Sequence, residues 1–349
     1  MTCTTTKTKL LLTSGLLAAI LPNTALAGYT VNTSDDASIT FGGFIAADVK
    51  HVNGDLAPTF GDFWIGSASQ TDTASTKFSV ASSRFNTKYV NGDTSAFVEI
   101  DFYTGGGNEI LTNSINPRLR HAIIKHGNWT VGQTWSTFIN TGALAEAVDF
   151  AGPLVASGFV RQTQVRYTNG NFQFALENPE SYGGDNTQDA LPDVIGKYTH
   201  SGDWGTVSVS GVFKQLNTTG GESETAIGVG VTGKIKVGDR DDFRFQLHGG
   251  NTGRYVGAAA STDLTGEEVE SSTSILVAYR HFWNDTYRSN VFYGNTTTEE
   301  SDRDRTHWGV NLFRSVNKNL TAGFEVGNFE MAEVDANSTY IQAQLKYAL

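Results

Sequence analysis

Cysteine is nearly absent: Cys3 is the only one in 349 residues. A chain with one cysteine at its extreme start has no internal disulfide, no thiol nucleophile in its body and no cysteine-ligated metal. Proline is scarce as well, 6 residues against 38 glycines, a balance that suits strands and turns and not a proline-rich disordered chain. Beyond the first twenty-odd residues there is no long apolar run, so no helix of the roughly 20 apolar residues needed to cross a bilayer can form. Basic residues are outnumbered, 25 Lys and Arg against 36 Asp and Glu, and the net charge of −11 excludes the basic footprint of a nucleic-acid binder. The seven histidines are scattered without metal-ligand spacing, so neither a metal nor a cofactor is expected. Mean hydropathy is −0.26, as in a soluble protein. A transmembrane barrel conceals its membrane character in the same way, because only every second residue faces lipid.

What is present begins at the first residues. Lys7 and Lys9 precede an apolar run from Leu10 to Leu21, broken by Thr13, Ser14 and Gly15, and Ala25-Leu26-Ala27 follows. A basic start, a short apolar run and an Ala-x-Ala site make a secretory signal peptide over residues 1–27. Export is therefore expected, with a short N-terminal periplasmic segment over 28–38 and a barrel over 39–349.

From residue 39 onward the chain alternates apolar and polar residues in segments of about ten, the period at which a strand presents one face of each kind. Val98-Glu99-Ile100-Asp101-Phe102, Phe172-Gln173-Phe174-Ala175-Leu176-Glu177 and Phe243-Arg244-Phe245-Gln246-Leu247-His248 carry the pattern. The breaks between segments alternate in kind. One set is tight, as at Asn91-Gly92-Asp93, His126-Gly127-Asn128, Asn169-Gly170-Asn171, Ser201-Gly202-Asp203, Gly238-Asp239-Arg240, Asn284-Asp285 and Val316 to Asn319, most with the Gly, Asn or Asp that a hairpin turn requires. The other set is long and polar, at about residues 51–75, 104–116, 137–158, 179–191, 217–223, 251–272, 297–304 and 331–338. Seven short turns and eight long loops separate sixteen strands, the habit of a bacterial outer-membrane barrel. The sequence pattern therefore predicts an all-β, sixteen-stranded antiparallel transmembrane barrel with short periplasmic turns and long outer loops. In the last segment Ile341, Ala343, Leu345, Tyr347 and Leu349 share one face, although such segments commonly end on an aromatic residue.

Arg118-Leu119-Arg120-His121-Ala122, Gly132-Gln133-Thr134-Trp135-Ser136-Thr137-Phe138, Arg161 to Tyr167 and Ala175-Leu176-Glu177-Asn178-Pro179-Glu180 together resemble the DcaP-like porins. Ser83-Arg84 and Glu99 to Phe102 fit upstream. The match is best over about residues 40–200. The resemblance implies a sixteen-stranded homotrimeric porin for small anionic solutes such as dicarboxylates, set among outer-membrane lipid and lipopolysaccharide. Some members carry an N-terminal coiled-coil extension, for which the eleven residues from Gly28 to Ser38 leave no counterpart.

If the apolar face of each strand meets lipid, the other face carries Arg84 and Lys88, Glu99 and Asp101, Arg118 and Arg120, and Arg166, with further cations round the ring. Rings of Arg and Lys suit anion pores, and arginine recognises carboxylates with two prongs. Arg84, Arg118, Arg120 and Arg166 are thus candidates for a basic ladder at a constriction. The same residues can instead pair with Glu99, Asp101 and Glu177 and brace the wall, and the sequence leaves both readings open. Loop 137–158, with Leu144, Val148, Phe150, Leu154 and Val155, is the candidate plug. Folded inward, with a helical turn or two between Ala143 and Val148, it would bring Glu146 and Asp149 opposite the arginines.

Two other classes compete. A barrel hydrolase would need a nucleophile elbow or a local triad, and no Gly-x-Ser-x-Gly occurs. A secreted β-rich adhesin predicts no strict short–long rhythm. Gly228-Val229-Gly230-Val231-Thr232-Gly233 matches the dinucleotide fingerprint but lies inside a strand pattern with no helix after it. A non-enzymatic diffusion channel remains the expectation.

Overall fold

The computed structural model describes residues 28–58, 69–103, 107–108, 112, 114–256 and 260–349; the leader read at residues 1–27 lies outside them. Sixteen antiparallel strands close into a barrel. They are β1 (Ala37–Ala57), β2 in two segments (Ser69–Ser79 and Arg84–Asn91), β3 (Thr94–Asp101), β4 (Arg118–His126), β5 (Trp129–Trp135), β6 (Arg161–Asn169), β7 (Phe172–Glu177) and β8 (Asp193–Gly202). β9 (Gly205–Asn217), β10 (Ser223–Val237), β11 (Asp241–Gly250), β12 (Ser272–Phe282), β13 (Tyr287–Thr298), β14 (Asp304–Ser315), β15 (Leu320–Met331) and β16 (Ala336–Ala348) complete the ring. β1 pairs with β16 from Phe44 opposite Ala348 to Gly54 opposite Ser338, and this seam closes it.

All seven tight turns fall where the sequence places them. Gly92, Gly127 and Gly170 hold left-handed φ values of 57°, 53° and 56°, which an L side chain rarely adopts. Between them the strands alternate as the pattern predicts. On β11, Phe243 and Leu247 are exposed outward while Arg244, Gln246 and His248 are buried inside.

Two local features depart from strict alternation. β2 is interrupted: its upper segment pairs with β1 from Asp48 to Ala57 and its lower segment from Ala37 to Phe44. At the break, Phe78 near the end of the upper segment and Val80 just past it stand out at 79% and 56% exposure. Ser82 and Ser83 turn inward, donating to Asp48 at 2.6 Å and accepting from the Ala46 amide at 3.0 Å. The second departure is a bulge on β4. Glu99 faces His121 and Ile100 faces Leu119, leaving Arg120 without a cross-strand partner on β3.

The stretch read as an N-terminal segment, 28–38, has structure of its own. Tyr29–Ser34 is a strand that doubles back on β1, pairing Tyr29 with Phe41 and Asn32 with Ser38, and β1 begins at Ala37. The N-terminal strand thus continues the line of β16, whose Ala348 faces Phe44.

The lumen is filled by loops. Residues 136–160 fold inward, where Leu154, Val155 and Ala156 form a core with Val52, Leu56, Leu276, Phe329 and Tyr340 from the wall. A second loop also turns in, at residues 251–256 and 260–271. Tyr255 and Val256 pack on Phe138, Ile195 and Val212. Lys214–Asp263 at 2.6 Å and Arg254–Asp193 at 2.5 Å, with the Tyr255 hydroxyl donating to Asp193 at 2.6 Å, hold it there.

Candidate functional site

The third outer loop makes a circuit of the inner wall. It leaves β5 at Ser136, where the Thr137 amide donates to Glu177 at 2.6 Å. Arg166 fastens the same point, donating to the Thr137 hydroxyl at 2.8 Å and the Trp135 carbonyl at 2.5 Å. Lys197 donates to the Ile139 carbonyl at 2.9 Å. Asn140 then caps a 3-10 turn at Thr141–Ala143, accepting from the Gly142 amide. This turn is the only helical piece of the loop, shorter than expected and placed earlier.

Past the turn the wall grips the loop by its backbone. Gln246 donates to the Ala143 carbonyl and Arg244 to that of Leu144. Asn290 and Asn311 both donate to the Glu146 carbonyl, at 2.6 and 2.9 Å, and the Val148 amide donates to Glu325 at 2.7 Å. Side chains follow. Glu146 pairs with Arg288 at 2.7 Å and Arg280 at 3.4 Å, and Asp149 with Lys50 at 2.7 Å. Both carboxylates were expected to face Arg84, Arg118, Arg120 and Arg166. Glu146 faces the far wall instead, where Arg280 on β12 and Arg288 on β13 reach it, and Asp149 is taken by Lys50 on β1, the neighbour of β2. On the return, a Cβ at Gly294 would run into the Val155 carbonyl oxygen, so the loop lies this close because residue 294 is glycine.

The group that meets the arginines is Phe150. Its ring stacks on Tyr103 at 4.5 Å between centroids and 9° between planes. The guanidiniums of Arg84, Arg120 and Arg118 lie 4.9, 5.4 and 5.9 Å from its centroid. These three cations differ in their partners. Arg118 holds buried Asp101 at 2.8 Å, and Arg120 holds Asp101 at 2.6 Å and Glu99 at 2.7 Å. Arg84 has no carboxylate within ion-pair distance among the described residues; it sits between the Phe44 and Phe150 rings, and its Nε is buried without a hydrogen-bond partner. Arg118 and Arg120 are thus bound to wall carboxylates, and Arg84 is not.

Some site residues were not legible. The β4 bulge reverses side-chain parity, so His121 turns inward to Thr134 at 3.0 Å and Lys125 joins the face of Lys88 and Arg166. Arg161 lies 3.9 Å from the centre of the Trp135 ring, in electrostatic range of Arg84, Arg118 and Arg120. Lys346, which the alternation does place on the inner face, lies over Phe44 at 5.4 Å. Strict alternation conceals Lys125, whereas Arg161 was quoted in the family motif but not weighed as a site residue.

A closed barrel of this strand number, apolar outside and charged within, narrowed by its third loop, defines a channel of the outer-membrane porin class. The chain belongs to the DcaP outer membrane protein family, whose model matches residues 30–326. Its bacterial outer-membrane location follows from that membership. It superposes on the outer membrane channel DcaP of Acinetobacter baumannii with a TM-score of 0.79, 19% identity, and coverage of 91% of this chain and 99% of that one. The anion-selective porin from Comamonas acidovorans gives 0.59, 12% identity and 90% and 100% coverage. OmpF of Salmonella typhi gives 0.61, 11%, and 91% and 100%. Comparison with curated proteins gave no match.

Proposed function

We infer that the protein is a passive diffusion channel for small anionic solutes, dicarboxylates among them. The observation that carries this is Arg84, a cation set beside Phe150 in the constriction without a carboxylate partner among the described residues, with Lys88 and Lys125 on the same inner surface. A cation freed from internal pairing offsets the cost of partly dehydrating an anion in a narrow passage. An arginine offers a carboxylate two parallel donors. The anion-selective porin from Comamonas acidovorans shows that this fold supports such a preference. In this reading residues 1–27 are removed on export, residues 136–160 are the constriction loop, and the mature chain works as a homotrimer among lipid and lipopolysaccharide.

Reversal potential across a planar bilayer under a salt gradient tests it. Stepwise conductance with anion preference, lowered by adding dicarboxylate, is expected. Cation preference would overturn the solute class, and absence of conductance would overturn the channel.

A further inference from the structure

Round β8 to β16 the strand lysines and arginines take the inner face, from Lys197 and Lys214 to Arg288 and Lys346, with one exception among the described residues. Arg314 on β14 has the parity of Trp308, Val310 and Leu312 and is exposed on the outer wall. It stands opposite Tyr287 on β13 and Ala322 on β15, at the level of the short turns, which is the periplasmic end. No carboxylate lies within ion-pair distance of it among the described residues, and its guanidinium is 5.8 Å from the centre of the Tyr287 ring.

Beside this arginine the outer wall is hollowed. A groove of about 630 Å³ runs between Trp283 and Tyr287 on one side and Phe324 on the other, over Ser289, Leu312 and Val310. Its floor is low at Ser289, whose outward neighbours on the same strand are the larger Tyr287 and Val291. The Trp283 indole donates to the Ser289 hydroxyl at 2.9 Å, which sets the ring along the rim, still 62% exposed. From Arg314 up to Val310 the strand runs about 13 Å, at about 3.3 Å per residue. A cation therefore stands at the headgroup end of an apolar channel that leads into the hydrocarbon.

We propose that this groove binds one glycerophospholipid of the periplasmic leaflet, with its phosphate diester on Arg314 and an acyl chain along Leu312 and Val310. Charge decides the occupant. Any hydrocarbon covers the apolar floor, but an outward arginine without a protein partner calls for an anion held at headgroup depth. A guanidinium offers a phosphate two parallel donors. Trp283 and Tyr287 fit the same depth, since amphipathic rings settle at the level of the headgroups. The proposal rests on the outer-membrane setting and is independent of the solute.

Native mass spectrometry of the detergent-purified full chain, titrated with phosphatidylglycerol, tests the site, with conductance and heat-modifiable migration as controls for folding. One phosphatidylglycerol per chain is expected to be retained. A diacylglycerol with the same chains should not be, and inorganic phosphate should not displace the lipid. Arg314→Gln should weaken retention about tenfold, the loss of one charge-assisted pair. Ser289→Phe, which fills the groove and leaves the arginine, should weaken it several-fold. Unchanged retention in either variant, equal retention of diacylglycerol, or displacement by inorganic phosphate would overturn the assignment. So would a Ser289→Phe variant that loses an oligomer and keeps its lipid, because the groove would then be a contact between copies. Should a variant fail to fold, the three probes on the wild type decide alone.

Discussion

Asp101 has no exposed surface and lies between two arginines, 2.8 Å from Arg118 and 2.6 Å from Arg120. Breaking a buried pair by removing one partner costs about 3–5 kcal/mol, because the remaining charge keeps its desolvation cost. Asp101→Ala is therefore expected to destabilise the barrel by about that amount, read from the urea midpoint of the detergent-folded protein. Arg84→Ala should do the reverse: little change in the midpoint, since no ion pair is lost, and a reversal potential moved toward zero. A large stability loss in Arg84→Ala with unchanged selectivity would show that Arg84 braces the wall. The sequence placed Arg84, Arg118 and Arg120 on one face because side-chain parity is local. It left their roles open because parity does not decide which cation finds a carboxylate.

At the scale of the element, turns and strands were legible and the loop's moorings were not. Gly92 and Gly170 announce their turns by chemistry at one position. Glu146 finds Arg288 and the Val148 amide finds Glu325 across 142 and 177 positions of sequence, with no local signal at either end. Glu146→Gln should leave the loop in place, because Asn290 and Asn311 hold the backbone carbonyl and not the side chain. It also removes a negative charge beside Arg280 and Arg288. Single-channel recordings are expected to show noisier open states and stronger anion preference; a quiet channel with weaker preference would contradict this. The outer loops carry a pH-sensitive clasp. Burial alone would raise the Glu270 carboxyl, but Ser301, Thr265 and the amide of Glu300 donate to it and together hold it below the usual carboxylate range. A depressed folded value contributes stability above the unfolded pKa, about 4.3, and loses it as pH falls through the folded value. Hydrogen exchange at residues 299–301 should stay slow at pH 6 and rise below pH 4 after correction for intrinsic rates. Glu270→Gln should abolish that pH step.

For the whole molecule, the rhythm of short turns and long loops is a sufficient record of a closed barrel, because closing the ring by antiparallel pairing throughout, as here, takes an even count of strands with both ends on one side. Where two strands share one position in the wall, the rhythm fails. Tyr29–Ser34 alternates over only six residues and turns at Asp35-Asp36 without a glycine, so it reads as a tail. In the fold it supplies the wall below Ala348, where β16 ends and β1 still has the seven residues from Gly43 back to Ala37 to run. The main seam does not depend on it, since β1 and β16 pair independently from Phe44 to Gly54. A variant whose mature chain lacks residues 29–34 is therefore expected to fold and conduct with unchanged selectivity, the constriction lying on other strands. Its urea midpoint should fall, because at about 1 kcal/mol net for each lost hydrogen bond the hairpin contributes a few kcal/mol. Heat-modifiable migration on a gel, conductance and the urea midpoint separate the outcomes. If the shortened chain gives no heat-modifiable form, ring closure needs the N-terminal strand as a template, and the seam between β1 and β16 cannot form by its own pairing alone.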